Sequence, residues 1–450
     1  MSACTAQKSP VAETDKLVIC YDYELRGYVE ILMNPLTGEP FHILYPNVEV
    51  ELIALPDPTT DEALYESVRQ KMRIELMSGS GADLFILNSP SRDFEGVFPD
   101  VEKFMRSGLF CDLRELYTDP YSGTVYVDES LDPAAMLVAG QIDGKQLTLP
   151  LNYNFTTIMT NELSQERLGV SNTSDTAEVL AGLRRLFAPS GAGRMALTEA
   201  YPQRSIETPP NDVFLNPYDY TVRPIVDYVS ETATIDTPLT RDVLETGKFL
   251  YEHMRQLRQN GWLRRDQVFS EAVSGGYGDY VFSEDYAVLG RIDDLYHTEN
   301  RFVSTFYDYS PRIAAIPGEE GAINAVVTYY GAIRAGSANK LNAMRFLALI
   351  YNKTRTQYRD DGTRRIPPSG AAAITDLNSV RNWNTNLGRM ASATEATAQQ
   401  ENALWARVSS SRYPVPKEVT DIIMLYYEGE IDLDDAIRRM SEYWKISLSE

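Results

Sequence analysis

The sequence predicts an α/β protein with two lobes, each a mostly parallel sheet flanked by helices, joined by a hinge. Two observations lead to this fold class. At 450 residues the chain is too long for one ordinary core, since single cores rarely grow beyond roughly 250–300 residues. Near the start, short apolar strands alternate with amphipathic helices in the order β-α-β-α-β, which is typical of parallel sheets with right-handed crossovers.

Three strands are predicted in the first hundred residues. Residues 17–21 and 84–87 are short apolar runs of the kind found in buried parallel strands, and 48–52 alternates valine or leucine with glutamate. In open parallel sheets, ligands gather beyond the carboxyl ends of the strands. The residues that follow the first and third strands are therefore candidates for a binding site.

Helices are predicted between and after these strands. One spans about 26–33 and ends before the prolines and glycine of 34–40. Another follows Thr60, a suitable N-cap, and carries an apolar residue at every fourth position. Further helices are expected at about 240–260 and after Asp432, which would cap the last one.

The composition excludes several classes of function. Lys and Arg number 42 against 64 Asp and Glu, giving a formal charge of −22. Such acidity disfavours nucleic acid and electrostatic docking on an anionic membrane. Only three histidines occur, far apart, and no Cys/His cluster is present, so neither a metal site nor any other cofactor is expected.

The three cysteines raise two further questions. Cys4 closes the segment Met-Ser-Ala-Cys, which resembles the end of a bacterial lipobox, so we expect Cys4 to be lipidated and residues 1–15 to form a tether. The alternative is an accidental cysteine in a terminal segment. In an exported protein Cys20 and Cys111 could pair, although a cysteine that ends an apolar strand is often simply buried.

Six stretches, in the same order along the chain, resemble the family of bacterial extracellular solute-binding proteins that includes maltose-binding protein. The first carries a Tyr-Pro-Asn-Val step into the second strand, and the fourth carries an Asp-Gly-Lys turn that ends in Leu-Pro. In chain order they are Phe41–Val50, Met77–Phe85, Ser107–Leu113, Ile142–Pro150, Ala332–Lys340 and Gly429–Ala436.

The resemblance implies two α/β lobes of the periplasmic-binding-protein type that close on a ligand in the cleft between them. Lobe one would take residues 16–130 and 311–354, and lobe two would take 131–310 and 355–450. It also implies a monomeric, non-catalytic protein outside the cytoplasm, attached to the membrane only by a lipid. Its partners would be a small-molecule ligand and the permease subunits of an ABC importer.

Four segments at positions that match the family's cleft are predicted to hold the ligand, with three looser candidates in the C-terminal part. Each supplies planar polar groups or aromatic faces, which suit a sugar. The segments are Tyr21-Asp22-Tyr23, Asn88-Ser89, Asn152-Tyr153-Asn154 and Arg291 with Asp294; the looser candidates are Trp383, Arg412 and Tyr413.

Several alternatives stay open at this level. A sugar or oligosaccharide is the expected ligand, with a polyamine, a peptide or an acidic sugar as the other choices. The protein could instead be a surface sensor of the same fold that transmits ligand binding to a signalling partner. A secreted carbohydrate hydrolase would need two carboxyl groups facing each other across a cleft, and no motif singles out such a pair.

Overall fold

The computed structural model describes residues 16–33, 41–91, 95–117, 134–160, 165–166, 168–170, 174–187, 195–197, 217–259, 286–291, 312–355, 357–358, 364–365, 400 and 403–449. The strands are β1 Lys16–Tyr21, β2 Glu49–Ala54, β3 Leu84–Asn88, β4 Gln141–Ile142, β5 Lys145–Gln146, β6 Leu149–Asn154, β7 Thr156–Thr160, β8 Met195–Leu197, β9 Val226–Asp227, β10 Thr232–Ala233, β11 Tyr286–Arg291, β12 Arg312–Ala315, β13 Ile323–Ile333, β14 Gln357–Tyr358, β15 Arg364–Arg365 and β16 Val408–Arg412. The α-helices are α1 Arg26–Glu30, α2 Phe41–Leu44, α3 Glu62–Met77, α4 Val101–Arg106, α5 Ala134–Leu137, α6 Thr176–Phe187, α7 Pro238–Gln259, α8 Lys340–Arg355, α9 Lys417–Glu428 and α10 Leu433–Ser449. Short 3-10 helices lie at Tyr23–Leu25, Ile31–Met33, Arg114–Tyr117, Val138–Gly140, Pro217–Tyr220 and Glu319–Gly321.

The first sheet joins β2, β1, β3 and β13 in that order, and β13 also pairs with β6 and β16. β1 runs parallel to β2 and β3, as predicted, and β13 runs antiparallel to β3. Alternate residues of β1 and β3 pack into apolar clusters on opposite faces: Cys20 and Phe85 on one, Ile19 and Leu84 on the other. Both faces of this sheet are therefore covered.

The long strand β13 brings the ends of two other strands together. Val326 pairs with Asn154 of β6 and with Arg412 of β16, so β6 and β16 flank β13 on opposite edges. Tyr329 pairs with Asn88 of β3 and with β6. β3 and β16 therefore lie along the same edge of β13, one after the other, with their carboxyl ends facing.

The second sheet has the order β12-β7-β11-β8 and a separate core with α6 and α7. Its described pairings are mixed: β7 is antiparallel to β11 and β12, and β11 is parallel to β8. The chain passes from the first sheet to the second at Phe155 and returns between β12 and β13. We propose that these are the lobe crossings; the boundaries at 131 and 311 stay a prediction.

The C-terminal helices form a further core with α7 and with residues of 218–235. Trp444 is buried in it, as expected for a residue on the apolar face of the last helix. Among the described residues no helix has the length and apolar character needed to span a bilayer.

Several local predictions can be compared with the structure. The side chain of Asp432 accepts a hydrogen bond from the Asp435 N–H at 2.8 Å, so it caps the last helix as predicted. Thr60 was the wrong cap for α3: Asp61, one residue later, accepts from the Leu64 N–H at 2.9 Å. Cys20 and Cys111 are not bonded to each other.

Candidate functional site

A cavity of about 280 Å³ lies where α4 meets residues 218–228, the end of β16 and α10. This volume is near the lower end of the range for small-molecule sites, roughly 300–1,000 Å³. Its polar and aromatic lining residues are Asp100, Glu102, Arg106, Gln141, Tyr218, Asp227, Tyr228, Ser410, Ser411, Arg412, Tyr413 and Trp444.

The walls of the cavity belong to different cores. Val101 and Met105 of α4 pack in the cluster that covers one face of the first sheet. Tyr218, Ile225 and Trp444 pack in the cluster built around the C-terminal helices. A molecule bound here would therefore contact two separately packed parts of the chain.

Two neighbouring carboxyl groups enter the cavity from the start of α4. The Asp100 carboxylate accepts a hydrogen bond from the Lys103 N–H at 2.9 Å. It also accepts one from the Tyr228 hydroxyl, which lies 2.9 Å from both carboxylate oxygens. Burial, followed by the neighbouring charge of Asp100, raises the pKa of the Glu102 carboxyl to about 7, while Arg412 and Arg106 act in the opposite direction. This corner of the cavity accepts hydrogen bonds.

Two arginines also line the cavity: Arg106, one turn after Glu102 on α4, and Arg412 at the end of β16. The Arg412 guanidinium donates to the carbonyl of Thr221 and, at 3.2 Å, to the carbonyl of Arg223. The Arg106 guanidinium lies over the ring of Tyr228, 4.9 Å from the ring centroid. Arg412 thereby connects the end of β16 to the loop that forms the opposite wall.

Three aromatic side chains, Tyr218, Tyr228 and Trp444, also line the cavity. The Trp444 indole N–H donates to the Tyr218 hydroxyl at 2.8 Å. The Tyr228 ring meets the Trp444 ring edge to face, with centroids 6.3 Å apart and planes at 89°. Rings of this kind, beside carboxylates and guanidinium groups, are what a polyhydroxylated ligand needs: flat apolar faces and fixed hydrogen-bonding groups.

Of the predicted ligand residues, Arg412 and Tyr413 line this cavity. Tyr413 is 4% exposed, its hydroxyl shares a hydrogen bond of 2.7 Å with Thr148, and its ring meets that of Tyr330 edge to face, with centroids 5.2 Å apart. It packs on one side against the interior of the first sheet and on the other against the cavity.

Other predicted residues meet at the carboxyl edge of the first sheet and do not line the cavity. The Asn88 N–H donates to the Asp22 carboxylate at 2.6 Å, and the Asn88 side chain donates to Glu24 at 3.4 Å. The Ser89 N–H donates to the Thr328 carbonyl at 2.7 Å. The ends of β1 and β3 are thus adjacent, as predicted. Tyr23 projects outward and is 46% exposed.

This edge holds several buried polar atoms that make no hydrogen bond within the described part of the chain. They are one carboxylate oxygen of Asp22 and the hydroxyls of Ser89, Thr328 and Tyr330, which we call the sheet-edge cluster. The pKa of the Asp22 carboxyl is raised to about 7, mainly by burial. The hydrogen bond from the Asn88 N–H acts to lower this pKa, and the charge of Glu24 acts to raise it. Unsatisfied buried polar atoms of this kind are costly and few in native proteins.

The remaining described candidates are packed in the interior. The Tyr21 hydroxyl donates to Glu30 at 3.1 Å, and the Tyr153 hydroxyl donates to the Pro150 carbonyl at 3.3 Å. Asn154 accepts from the Phe155 N–H at 3.0 Å, and Asn152 is 1% exposed. Their role as ligand contacts stays a prediction.

Three predicted residues, Cys4, Asp294 and Trp383, lie outside the described residues. Arg291 ends β11, where it pairs with Thr156 of β7.

The sequence analysis missed Asp100, Glu102 and Tyr228. Asp100 is the N-cap of α4, a place where aspartate is common in any helix, so its residue type alone does not indicate a site. The aromatic-rich segment 218–228, with three tyrosines, was the signal that could have drawn attention to the opposite wall.

Comparison with known proteins identifies the fold. No protein-family model matches the chain, and no curated protein sequence matches it. Solved structures do match over nearly the whole length. An extracellular solute-binding protein family 1 member from Alicyclobacillus acidocaldarius is 13% identical, with a TM-score of 0.51, covering 99% of this chain and 100% of that one.

Two sugar-binding proteins are similar to the same degree. The sugar-binding protein MalE from Xanthomonas citri is 12% identical, with a TM-score of 0.55, covering 96% of this chain and 97% of that one. The cyclic alpha-maltosyl-1,6-maltose binding protein from Arthrobacter globiformis is 13% identical, with a TM-score of 0.52, covering 96% and 98%. The chain therefore has the two-lobed α/β fold of the solute-binding proteins, and the predicted fold class is confirmed.

Proposed function

We propose that the protein is the extracytoplasmic solute-binding subunit of an ABC importer and that it captures a small sugar in the cavity. One observation carries the proposal: the cavity lies between two separately packed cores and combines carboxylates, guanidinium groups and aromatic rings. A ligand that bridges two such parts favours the closed arrangement of the lobes, and a closed form is what a transporter can recognise.

Each wall would contribute in its own way. Glu102 and Asp100 would accept hydrogen bonds from sugar hydroxyls, and the Arg412 guanidinium would donate across the cavity. Tyr228 would offer part of its ring to an apolar face of the sugar. The volume of about 280 Å³ favours a mono- or disaccharide over a longer chain.

Two of the matched structures are sugar-binding proteins, which supports a carbohydrate ligand. The matched structures are binding proteins, which supports a role without catalysis. We further propose that Cys4 carries a lipid that holds a monomeric protein at the membrane, beside the permease subunits. Mass spectrometry of the protein from the membrane fraction would reveal a diacylglyceryl group on Cys4, and an unmodified thiol there would refute the anchor.

A thermal-shift screen of the full chain against neutral, amino and acidic mono- and disaccharides, polyamines and short peptides tests the proposal. A saturable rise in melting temperature is expected from a saccharide, because a ligand that binds only the folded state stabilises it by mass action. Chromatography of the recovered saccharide should show it unchanged. Breakdown of the saccharide would favour a hydrolase, and a shift from a peptide alone would refute the sugar ligand.

A further inference from the structure

The two arginines of the cavity are held against the same part of its lining. The Arg412 guanidinium donates to the carbonyls of Thr221 and Arg223. The Arg106 guanidinium lies on the ring of Tyr228, 4.9 Å from the ring centroid. These contacts all belong to one short segment of the chain, so the fold fixes both positive charges beside it.

Each arginine also has a buried donor that the described residues do not satisfy. The Nε atoms of Arg106 and Arg412 are buried, and neither donates a hydrogen bond within the described part of the chain. A guanidinium is planar and its N–H groups lie in that plane, so the face that stacks on Tyr228 does not satisfy the Arg106 Nε–H. A buried donor on a charged group is costly to leave without an acceptor. Arg106 is the stronger case, because Arg412 has its two carbonyl partners.

The carboxylates of the lining are in a different position. Asp100 accepts from the Lys103 N–H and from a tyrosine hydroxyl. Asp227 accepts from the Ser230 hydroxyl at 2.6 Å within its own turn. Glu102 is only half-buried, so water can reach it. Within the described chain, the buried polar atoms of this lining that lack a hydrogen bond are therefore donors, and the ligand should supply an acceptor.

We propose that the cavity prefers a sugar that bears a carboxylate, such as a uronic acid, and that the Arg106 guanidinium receives this carboxylate; the inference rests on the proposed function. A carboxylate matches a guanidinium best, because it accepts charge-assisted hydrogen bonds and can accept two at once. A sugar hydroxyl would accept one bond and leave the positive charge without a counter-ion. Arg412 adds a second positive charge to the same lining. The formal charge of −22 opposes an anion at long range, so the preference must come from these short-range contacts.

Sugars that differ only at carbon six test this preference. Glucuronic acid carries a carboxylate where glucose carries a hydroxymethyl group, and glucuronamide keeps the shape of the acid without its charge. The galactose and mannose counterparts cover other ring configurations. Titration calorimetry of the full chain at about 0.15 M salt limits the influence of distant charges. In at least one set the acid should bind more tightly than both neutral sugars by about ten- to hundredfold, the range for one charge-assisted hydrogen bond.

Substitutions of Arg106 locate the contact. Arg106→Gln removes the positive charge and should bind the acid and the neutral sugars with similar affinity. Arg106→Lys keeps the charge without the planar fork and should retain part of the preference. Arg438→Gln is the control, because this side chain is 55% exposed on α10 and does not line the cavity; it should retain the full preference.

Two results would overturn the inference and leave the proposed function standing. One is equal or weaker binding of the acid by the parent protein in every set in which a neutral sugar binds. The other is an undiminished preference for the acid in Arg106→Gln. Binding of a polyamine or a peptide, with no binding of any sugar in these sets, would overturn both the inference and the proposed function.

Discussion

The buried carboxyl of Asp22 should make the stability of the protein depend on pH. The residue is 2% exposed; one oxygen accepts from the Asn88 N–H, and the other has no partner among the described residues. Burial raises its pKa from the ordinary 3.8 to about 7. The charge of Glu24 acts on it, and the carboxyl in turn acts on Tyr65 and Tyr330.

The sign of the effect follows from proton binding. In the unfolded chain the group ionises near pH 4, whereas the folded protein holds the proton up to about pH 7. The stability that protonation contributes is therefore complete below about pH 4 and is lost as the pH rises through about 7. Each pKa unit corresponds to about 1.4 kcal/mol, so the free energy of unfolding should fall by at most roughly 4 kcal/mol between these limits.

The substitution Asp22→Asn should remove this dependence. Asparagine keeps an oxygen for the Asn88 N–H and carries no charge, so the variant should exceed the parent in free energy of unfolding by roughly 1–4 kcal/mol at about pH 8. Near pH 4 the two should be similar. Urea unfolding followed by fluorescence at several pH values measures both.

Asp143→Asn is the matched control, because Asp143 lies in an exposed turn at φ +50°, a conformation that asparagine also adopts. It should leave the pH profile of stability unchanged. A profile of Asp22→Asn that runs parallel to that of the parent, or a variant less stable than the parent at about pH 8, would refute the reasoning.

Three further predictions concern stability. Asp83→Ala should cost about 3–5 kcal/mol in urea unfolding, because that buried carboxylate accepts from an arginine, a serine, an asparagine and a backbone N–H; a loss below about 1 kcal/mol would contradict this. Gly140→Ala should lower the melting temperature strongly, because a Cβ at this position would lie 2.1 Å from the Thr148 carbonyl oxygen. Gly27→Ala is the control and should have little effect, because a Cβ there would have nothing within 4 Å. Equal effects of the two substitutions would be evidence against the close packing of Gly140 on Thr148. Tyr413→Phe should cost about 1 kcal/mol in urea unfolding by removing its hydrogen bond to Thr148, and no loss would show that this bond contributes nothing.

The sequence predicted the first sheet better than the second for a physical reason. β1 and β3 are covered on both faces, so their residues form continuous apolar runs that stand out in a sequence. β16 has the sequence Val-Ser-Ser-Ser-Arg, with one apolar residue, and its place beside β13 depends on pairing with a strand about 85 residues earlier. No local pattern reveals such a pairing.

The meeting of Asp22 and Asn88 could be predicted from the sequence, whereas most of the cavity could not. Asp22 and Asn88 meet because parallel strands end at one edge, a rule that needs only the strand order. The cavity needs α4, residues 218–228 and the end of β16 to converge. That convergence depends on how the two lobes and the C-terminal helices pack together. No short segment of the sequence reveals such long-range packing.

Filling the cavity tests the central claim most directly. Val138 lines the cavity and is 45% exposed, so Val138→Trp would place an indole in it with little disturbance of the core. Val229, 67% exposed and away from the lining, provides the control Val229→Trp. With the saccharide that gives the largest thermal shift, titration calorimetry should show one-to-one binding that weakens at least about tenfold in Val138→Trp and is unchanged in Val229→Trp. Unaltered affinity in Val138→Trp would contradict the assignment of this cavity as the ligand site.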